Sequence, residues 1–144
     1  MKIIPGKGIN LVGFGLNESE ALEKLGQPDK VFFTDCDCKR LQFYKHKIEL
    51  SFEPENENRL GWIEVHNQDY TLFGRNLFQE SQDAIILFLN DMLKETPEIE
   101  DFDSFISVSY DNNWIELQFK FGELTNINLG MIYDKNNKPK WPNT

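Results

Sequence analysis

The stretch from Leu41 to Val65 reads LQFYKHKIELSFEPENENRLGWIEV, and its pattern returns between Ile106 and Leu129 as ISVSYDNNWIELQFKFGELTNINL. The shared core is Ile-Glu-Leu-x-Phe, which occupies Ile48–Phe52 and again Ile115–Phe119. A long pattern that recurs within one chain is the sequence signature of a repeated structural unit. We therefore expect two copies of one unit, spaced by about 64 to 67 residues.

Apolar and polar residues alternate within each copy, which predicts antiparallel strands. In the first copy Ile48, Leu50 and Phe52 would point to one side of the sheet, whereas Glu49 and Ser51 would point to the other. The second copy alternates in the same way. Each copy is therefore expected to form a meander of three strands joined by short turns.

A helix is predicted before each meander. Asn17 can cap the first helix, Glu20 completes a capping box, and Gly26 followed by Pro28 ends it, so the helix is expected from Glu18 to Leu25.

Near Ser81 a longer helix is expected to begin and to run through Lys94, and its apolar residues extend so far around it that burial on more than one side is predicted. The predicted fold class is α+β, with two repeats of a helix followed by an antiparallel β-meander that together form one domain.

The expected domain spans residues 1–144, with the first repeat at about 15–66, a connector at 67–79, the second repeat at about 80–133 and a loose C-terminal tail at 134–144. A half of about 70 residues would be marginally stable alone, so we expect the halves to share one core or one continuous sheet.

The chain is acidic, with 15 Lys and Arg against 24 Asp and Glu and a net charge of −9. Such a charge repels phosphate backbones and attracts basic proteins, so a nucleic-acid partner is disfavoured. No apolar stretch is long enough to span a bilayer, and Pro5-Gly6 interrupts any signal-peptide core, so no membrane partner and a cytoplasmic location are expected.

Few residues have the spacing of a catalytic or metal site. Cys36 and Cys38 stand closer together than the paired cysteines of structural zinc sites, and nothing in the sequence brings His46 or His66 to them. We expect two thiols in a reducing compartment, no metal, no cofactor and no enzymatic activity.

Large aromatic and acidic side chains are expected on the outward face of the sheet. Trp and Tyr supply contact area in protein interfaces, and carboxylates steer a basic partner. The candidate partner-binding residues are Tyr44, Glu49, Trp62, Glu64, Trp114, Glu116 and Gln118. The alternatives are that a helix or the tail covers this face, or that the aromatic residues are exposed singly.

Residues 15–20 (GLNESE), followed by 25–28 (LGQP), resemble the short helix-and-turn signature of the small lipoprotein of the outer-membrane assembly machinery. The doubled helix-plus-meander plan is similar to the tandem fold of the β-lactamase inhibitor protein family, whose sheet binds another protein. Small acidic cytoplasmic proteins of this appearance are also common among bacterial immunity proteins that neutralise toxins.

This resemblance implies a cytoplasmic immunity protein that neutralises a basic, nuclease-type toxin by occlusion. Two alternatives stay open: a self-associating structural or adaptor module, and a small enzyme or ligand carrier. Both a monomer and a homodimer are compatible with the sequence.

Overall fold

A computed structural model describes residues 1–142, which form an eight-stranded antiparallel sheet, a three-stranded sheet and two α-helices. The helices are α1 (Glu18–Leu25) and α2 (Gln82–Leu93). The strands are β1 (Lys2–Ile4), β2 (Gly8–Ile9), β3 (Lys30–Phe33), β4 (Lys39–Phe43), β5 (Ile48–Glu53), β6 (Arg59–Val65), β7 (Thr71–Leu72), β8 (Glu98–Asp101), β9 (Ile106–Tyr110), β10 (Ile115–Lys120) and β11 (Glu123–Gly130). The last two residues of the predicted tail, 143 and 144, lie outside the described residues.

The large sheet has the strand order β3-β4-β5-β6-β11-β10-β9-β8. Its centre is the antiparallel pair β6–β11, in which Ile63 lies opposite Leu129. That register continues outward on both sides, so one row of side chains crosses six strands on a single face. The row consists of Leu41, Leu50, Ile63, Leu129, Ile115 and Tyr110, all of them buried. The sheet therefore has one continuous apolar face and one core.

Both helices begin as their sequences predict. The Asn17 side chain accepts a hydrogen bond from the Glu20 amide, and the Glu20 side chain accepts one from the Asn17 amide, so the capping box at α1 is confirmed. Ser81 caps α2 by accepting from the Ala84 amide. Ala21 of α1 belongs to the buried core.

Helix α2 is buried on one side only. Ile85 and Leu89 are fully buried in the core, whereas Leu87 is 75% and Met92 42% exposed. The prediction that this helix is buried on more than one side is therefore wrong, because the described residues place the apolar face of the sheet on one side of α2 and leave Leu87 exposed. Neither described helix is long and apolar enough to cross a membrane.

The predicted α+β fold of two helix-plus-meander repeats is also wrong, because the protein is mostly β. The two helices have only 8 and 12 residues. Strand β8 forms between α2 and the second meander, although its Glu and Asp residues have low strand propensity, because it pairs with β9. Strand β7 forms within the predicted connector 67–79 and joins β1 and β2 in the three-stranded sheet.

The C-terminal segment folds back against the chain. The Lys140 amide donates a hydrogen bond to the Ile132 carbonyl at 2.8 Å, and Tyr133 and Pro139 form an isolated antiparallel β-bridge. The guanidinium of Arg59 lies 5.5 Å from the centre of the Trp141 ring, which is a cation–π distance. These contacts hold residues 132–141 beside the start of β6.

Two fully buried tyrosines give opposite predictions for removal of a hydroxyl group. The Tyr70 hydroxyl has no hydrogen-bond partner among the described residues, whereas the Tyr110 hydroxyl donates to Asn90 Oδ1 at 2.8 Å. Tyr70→Phe should raise the free energy of unfolding by up to about 1 kcal/mol, and Tyr110→Phe should lower it by about 1 kcal/mol. Urea denaturation at pH 7 measures both changes, and the reverse order would contradict this assignment.

The same tyrosines predict a loss of stability in alkali. Burial raises the pKa of each hydroxyl from 10.0 to about 12. The folded state holds these protons more tightly than the unfolded chain does. The free energy of unfolding therefore keeps its full value below about pH 10 and falls as the pH rises towards 12. Each Phe variant should therefore lose less stability than the parent protein over that interval.

Candidate partner-binding face

The face of the large sheet opposite the core carries a polar row. It lies one residue along each strand from the apolar row, so the two-residue period of the strands places it on the other side of the sheet. In register across six strands it consists of Gln42, Glu49, Glu64, Asn128, Glu116 and Ser109. Three predicted carboxylates, Glu49, Glu64 and Glu116, are therefore members of one cross-strand row.

Arg40 neutralises one half of this row. Its Nη1 lies 2.7 Å from Glu49 Oε2 and 3.0 Å from Glu64 Oε2. Gln42 Nε2 donates to the other Glu49 oxygen at 2.6 Å. Glu49 and Glu64 are directly opposite each other, so without the guanidinium their like charges would destabilise the pairing of β5 and β6.

The pKa of Glu64 shows the strength of this network. Burial alone would raise that pKa, but hydrogen bonds from His66, Trp62 and Arg40, together with the Arg40 charge, lower it below its ordinary value. The network therefore holds Glu64 ionised at neutral pH. Its negative charge is already matched within the protein and leaves little for a partner to neutralise.

Glu116 is held in a different way. Its carboxylate accepts hydrogen bonds from Ser107 Oγ at 2.7 Å, Asn128 Nδ2 at 2.9 Å and Gln118 Nε2 at 3.4 Å. All three donors are neutral, and Glu116 forms no ion pair with any residue in the described range. Its charge is therefore fixed in position, with no cation beside it.

Trp62 and Trp114, the tryptophan pair, lie together over Gly130. A Cβ atom added at Gly130 would be only 3.0 Å from Cε3 of each ring, so a side chain here would push the rings by a few tenths of an ångström. The ring centres of Trp114 and Tyr133 are 5.4 Å apart. Trp62 Nε1 also donates to Glu64 at 3.3 Å. The tryptophan pair is thus held from several sides while Trp114 stays 42% exposed.

Two clefts share the tryptophan pair as a wall. The first, of about 370 Å³, continues along β9 and β10 to Asp111 and Glu116. The second, of about 420 Å³, continues to Glu53, Glu55 and Tyr133. Both clefts therefore combine indole surface with carboxylates.

The carboxylates of the second cleft repel each other. Burial raises the pKa of Glu53, and the charge of Glu55 and a hydrogen bond with it raise that pKa further, although the charge of Arg40 offsets part of the effect. Neither Glu53 nor Glu55 forms an ion pair within the described residues. A cation that entered this cleft would relieve the repulsion.

The structure divides the predicted site residues into two groups. Trp62, Trp114, Glu116 and Gln118 lie together, although Trp114 occupies the β9–β10 turn, one residue before the strand in which it was predicted. Tyr44 and Glu49 line a separate cleft of about 270 Å³ with His66. Glu64 contacts both groups: it accepts a hydrogen bond from Trp62, and it shares the Arg40 guanidinium with Glu49.

Sequence reasoning missed several residues of this face: Arg40, Ser107, Asn126, Asn128 and Tyr133. Arg40 alternates with the buried Leu41 and Phe43 of β4, so the two-residue period of a strand that begins at Lys39 places it on the polar face. The asparagines alternate with Ile127 and Leu129 and were detectable by the same rule.

The cysteines are free thiols, with Cys36 exposed. Burial raises the pKa of Cys38, a hydrogen bond with Thr34 opposes that rise, and the charges of Glu53 and Glu55 add to it. Within residues 1–142 no group of three or more His, Cys, Asp or Glu side chains is arranged to hold a metal ion.

Removal of the Arg40 charge should destabilise the protein in a pH-dependent way. Arg40→Gln should lower the free energy of unfolding at pH 7 by about 2 kcal/mol, because Glu49 and Glu64 are left half-buried and opposite each other. The lowered pKa of Glu64 means that the stabilisation is present above pH 4.5 and is lost as the pH falls through the folded-state pKa. The difference in the free energy of unfolding between Arg40→Gln and the parent protein should therefore become smaller in acid.

Urea denaturation at pH 7 and at pH 3.5 tests this expectation. Lys94→Gln is the matched control, because Lys94 forms an ion pair with Asp91 and the two side chains are 80% and 77% exposed. Such a pair contributes little. If both variants lost the same free energy of unfolding at pH 7, Arg40 would not be compensating the charges of Glu49 and Glu64.

Comparisons with known proteins place the fold and nothing more. No protein-family model matches the chain, and no curated protein matches it. The chain is similar in structure to a DUF4309 family protein, YjgB, from Bacillus subtilis, with a TM-score of 0.51 and 16% identity over 87% of both chains. It is also similar to an extracellular protein containing an SCP domain from Bacillus anthracis, with a TM-score of 0.50 and 10% identity over 81% of this chain and 43% of the other. At these identities the likeness concerns the fold alone.

Proposed function

We propose that this protein inhibits a basic protein partner by binding it stoichiometrically through the tryptophan pair and the carboxylates beside it. The observation that carries the proposal is the uncompensated charge of Glu116, which lines one cleft with the exposed Trp114 indole, whereas Glu49 and Glu64 in the same row are already paired with Arg40. Aromatic anchors surrounded by positioned charges are typical of the energetically dominant parts of protein interfaces.

The rigid sheet supports this proposal. Trp62 lies on β6, Glu116 on β10, and the strand between them, β11, contributes Gly130 and Asn128. A surface built on hydrogen-bonded strands is ordered before the partner arrives, so little conformational entropy is lost on binding. The proposed face can therefore bind tightly over a small area.

The partner we propose is a nuclease-type toxin or effector, and the mechanism is occlusion. A nuclease binds its phosphate backbone with lysines and arginines. The net charge of −9 would steer those residues towards the protein, and the carboxylates would then cover them. No chemical step is assigned to the inhibitor itself.

A cytoplasmic location belongs to the same proposal. Its support is the pair of free thiols, of which Cys36 is exposed. One of the two proteins of similar fold is extracellular, so fractionation of the source cells is a necessary companion measurement.

Self-association is the second candidate function, and the edges of the large sheet favour it. Val31 and Phe33 on β3 are 48% and 65% exposed, and Ile99 on β8 is 54% exposed. An edge strand with exposed apolar residues can pair with the edge of another chain. Sedimentation over a range of concentrations tests this possibility directly.

Trp114→Ala should abolish binding of the partner, whereas Phe121→Ala should leave binding unchanged. The control is closely matched, because both residues lie in turns next to β10 and both have left-handed backbone, with φ of 53° and 52°. Phe121 is fully exposed and lies at the opposite end of the strand.

The experiment is capture at low salt, followed by purification of the captured protein and stopped-flow measurement of its association. We expect a basic partner whose association rate falls by about tenfold or more between low and high salt. An acidic partner, a rate independent of salt, or equal loss of binding in both variants would overturn the proposal.

A further inference from the structure

The large sheet ends in two strands, β3 and β8, each of which pairs with one neighbour within the described chain. Val31 on β3 lies opposite the fully buried Leu41, and Ile99 on β8 lies opposite the fully buried Val108. Opposite residues of a strand pair point to the same face, so Val31 and Ile99 both extend the apolar face of the sheet. Both are exposed, so each edge offers apolar side chains to another strand.

The backbone of β3 has hydrogen-bonding groups to spare. The Thr34 amide donates to the Cys38 carbonyl at 3.0 Å, in the register that pairs Phe33 with Lys39. Hydrogen-bonded and non-hydrogen-bonded pairs alternate along an antiparallel ladder. Val31 and Phe33 therefore direct their amide and carbonyl groups away from β4, to the side on which the described chain has no further strand.

A second copy of the chain fits this edge symmetrically. When two β3 strands run antiparallel with the two Phe32 residues opposite each other, Val31 of one copy lies opposite Phe33 of the second copy. These two residues then exchange their free backbone hydrogen bonds, and the twofold symmetry repeats the exchange. The Phe32 pair is the closely spaced, non-hydrogen-bonded pair, in which aromatic side chains contact each other favourably. Lys30 lies opposite Thr34, so no like charges of β3 face each other directly.

Charge prevents the same symmetric pairing at β8. The Phe102 amide donates to the Phe105 carbonyl at 2.9 Å, so by the same alternation Ile99 and Asp101 have the outward backbone groups. A twofold pair would then place Glu100 opposite Glu100 and bring together two strands in which three of four residues are acidic. Like charges directly opposite each other destabilise a strand pair, and charged residues commonly protect an edge. The charges of β8 therefore leave β3 as the edge that can pair with itself.

Pairing of β3 with β8 of a second copy is less favourable. In the register that sets Phe33 opposite Ile99, Val31 lies opposite Asp101 and covers a carboxylate that forms no ion pair among the described residues. Each copy would also keep one free edge, so the assembly would grow without closing. The symmetric β3 pair joins apolar side chains and closes at two copies.

We infer that two copies of this chain associate through β3 as a twofold-symmetric dimer, in which Val31 pairs with Phe33 of the second copy. The inference rests on the second candidate function, self-association, and gives it a strand, a register and a symmetry. It does not depend on the inhibitor function, because no residue of the tryptophan pair takes part.

Sedimentation over a range of concentrations tests the choice of edge with two matched proline variants. Val31→Pro removes an outward amide and keeps the amides that bond to β4. Symmetry removes this donor twice, so the dissociation constant of the dimer should rise by about tenfold or more. Ile99→Pro removes the equivalent amide of β8 and should leave the dissociation constant unchanged.

The other outcomes of this experiment separate the inference from the function on which it rests. Equal weakening by both variants, or an assembly that grows beyond the dimer, would show that β3 pairs with β8, so self-association would stand and the symmetric dimer would not. A dimer that neither variant weakens would also overturn the use of β3. A parent protein that stays monomeric at every concentration would overturn both self-association and the dimer.

A cysteine at the symmetry axis tests the register without depending on proline. In a Cys36→Ser/Cys38→Ser background, Phe32→Cys should form a covalent dimer on mild oxidation. The reason is that Cα atoms of a non-hydrogen-bonded pair stand about 4.5 Å apart, which a disulfide spans. Glu100→Cys in the same background is the control at the centre of β8 and should stay monomeric. Covalent dimers that form equally fast in both variants would overturn the register.

Salt distinguishes this dimer from the complex with a basic partner. Each copy has a net charge of −9, and the register brings Asp29 near Asp35 of the second copy. Between about 0.01 M and about 0.1 M salt the Debye length falls from about 30 Å to about 10 Å, which screens this repulsion. The dimer should therefore become about threefold tighter or more over this interval, whereas association with a basic partner should slow. A dimer that weakens over this interval would overturn the β3 pairing, whatever the basic partner does.

Discussion

The pairing of β6 with β11 is the contact on which the rest of the structure depends. It joins four strands on one side to four on the other, and its register, with Ile63 opposite Leu129, places every apolar residue of the central rows on one face. A slip of one residue would turn that row outward. The same register brings Trp62 opposite Gly130, so the core and the candidate site are set by a single strand pairing.

The polar face shows two solutions to the same electrostatic problem. Glu49 and Glu64 lie on adjacent strands, and Arg40 holds them together. Across the central pair, Asn128 separates Glu64 from Glu116, so Glu116 needs no cation to keep the sheet intact. Three neutral donors orient its carboxylate without cancelling its charge. The first arrangement is explained by stability alone, whereas the second leaves a charge that stability does not require.

Local signals were sufficient for some elements and not for others. The start of α1 could be predicted because Asn17 and Glu20 are three residues apart and complete their contacts without the rest of the fold. Strand β8 could not, because its Glu and Asp residues are held in a strand by β9 rather than by their own preference. The predicted α+β class failed for a related reason. Apolar periodicity identified both helices but gave no measure of how many short strands would surround them.

The candidate site was only partly predictable, since Trp62, Glu116 and Asn128 follow from strand alternation but the position of Trp114 over Gly130 does not. Trp114 lies in a turn with a left-handed backbone, a conformation that costs energy for a bulky residue. Phe121 adopts the same conformation at the other end of β10, so strain alone does not mark a binding residue. The difference lies in what each ring contacts. Trp114 packs beside Trp62 over Gly130, which has no side chain. The two rings meet there because β11 lies between β6 and β10. Tertiary placement therefore makes a turn residue with a left-handed backbone part of the wall that two clefts share, each of them also lined by carboxylates.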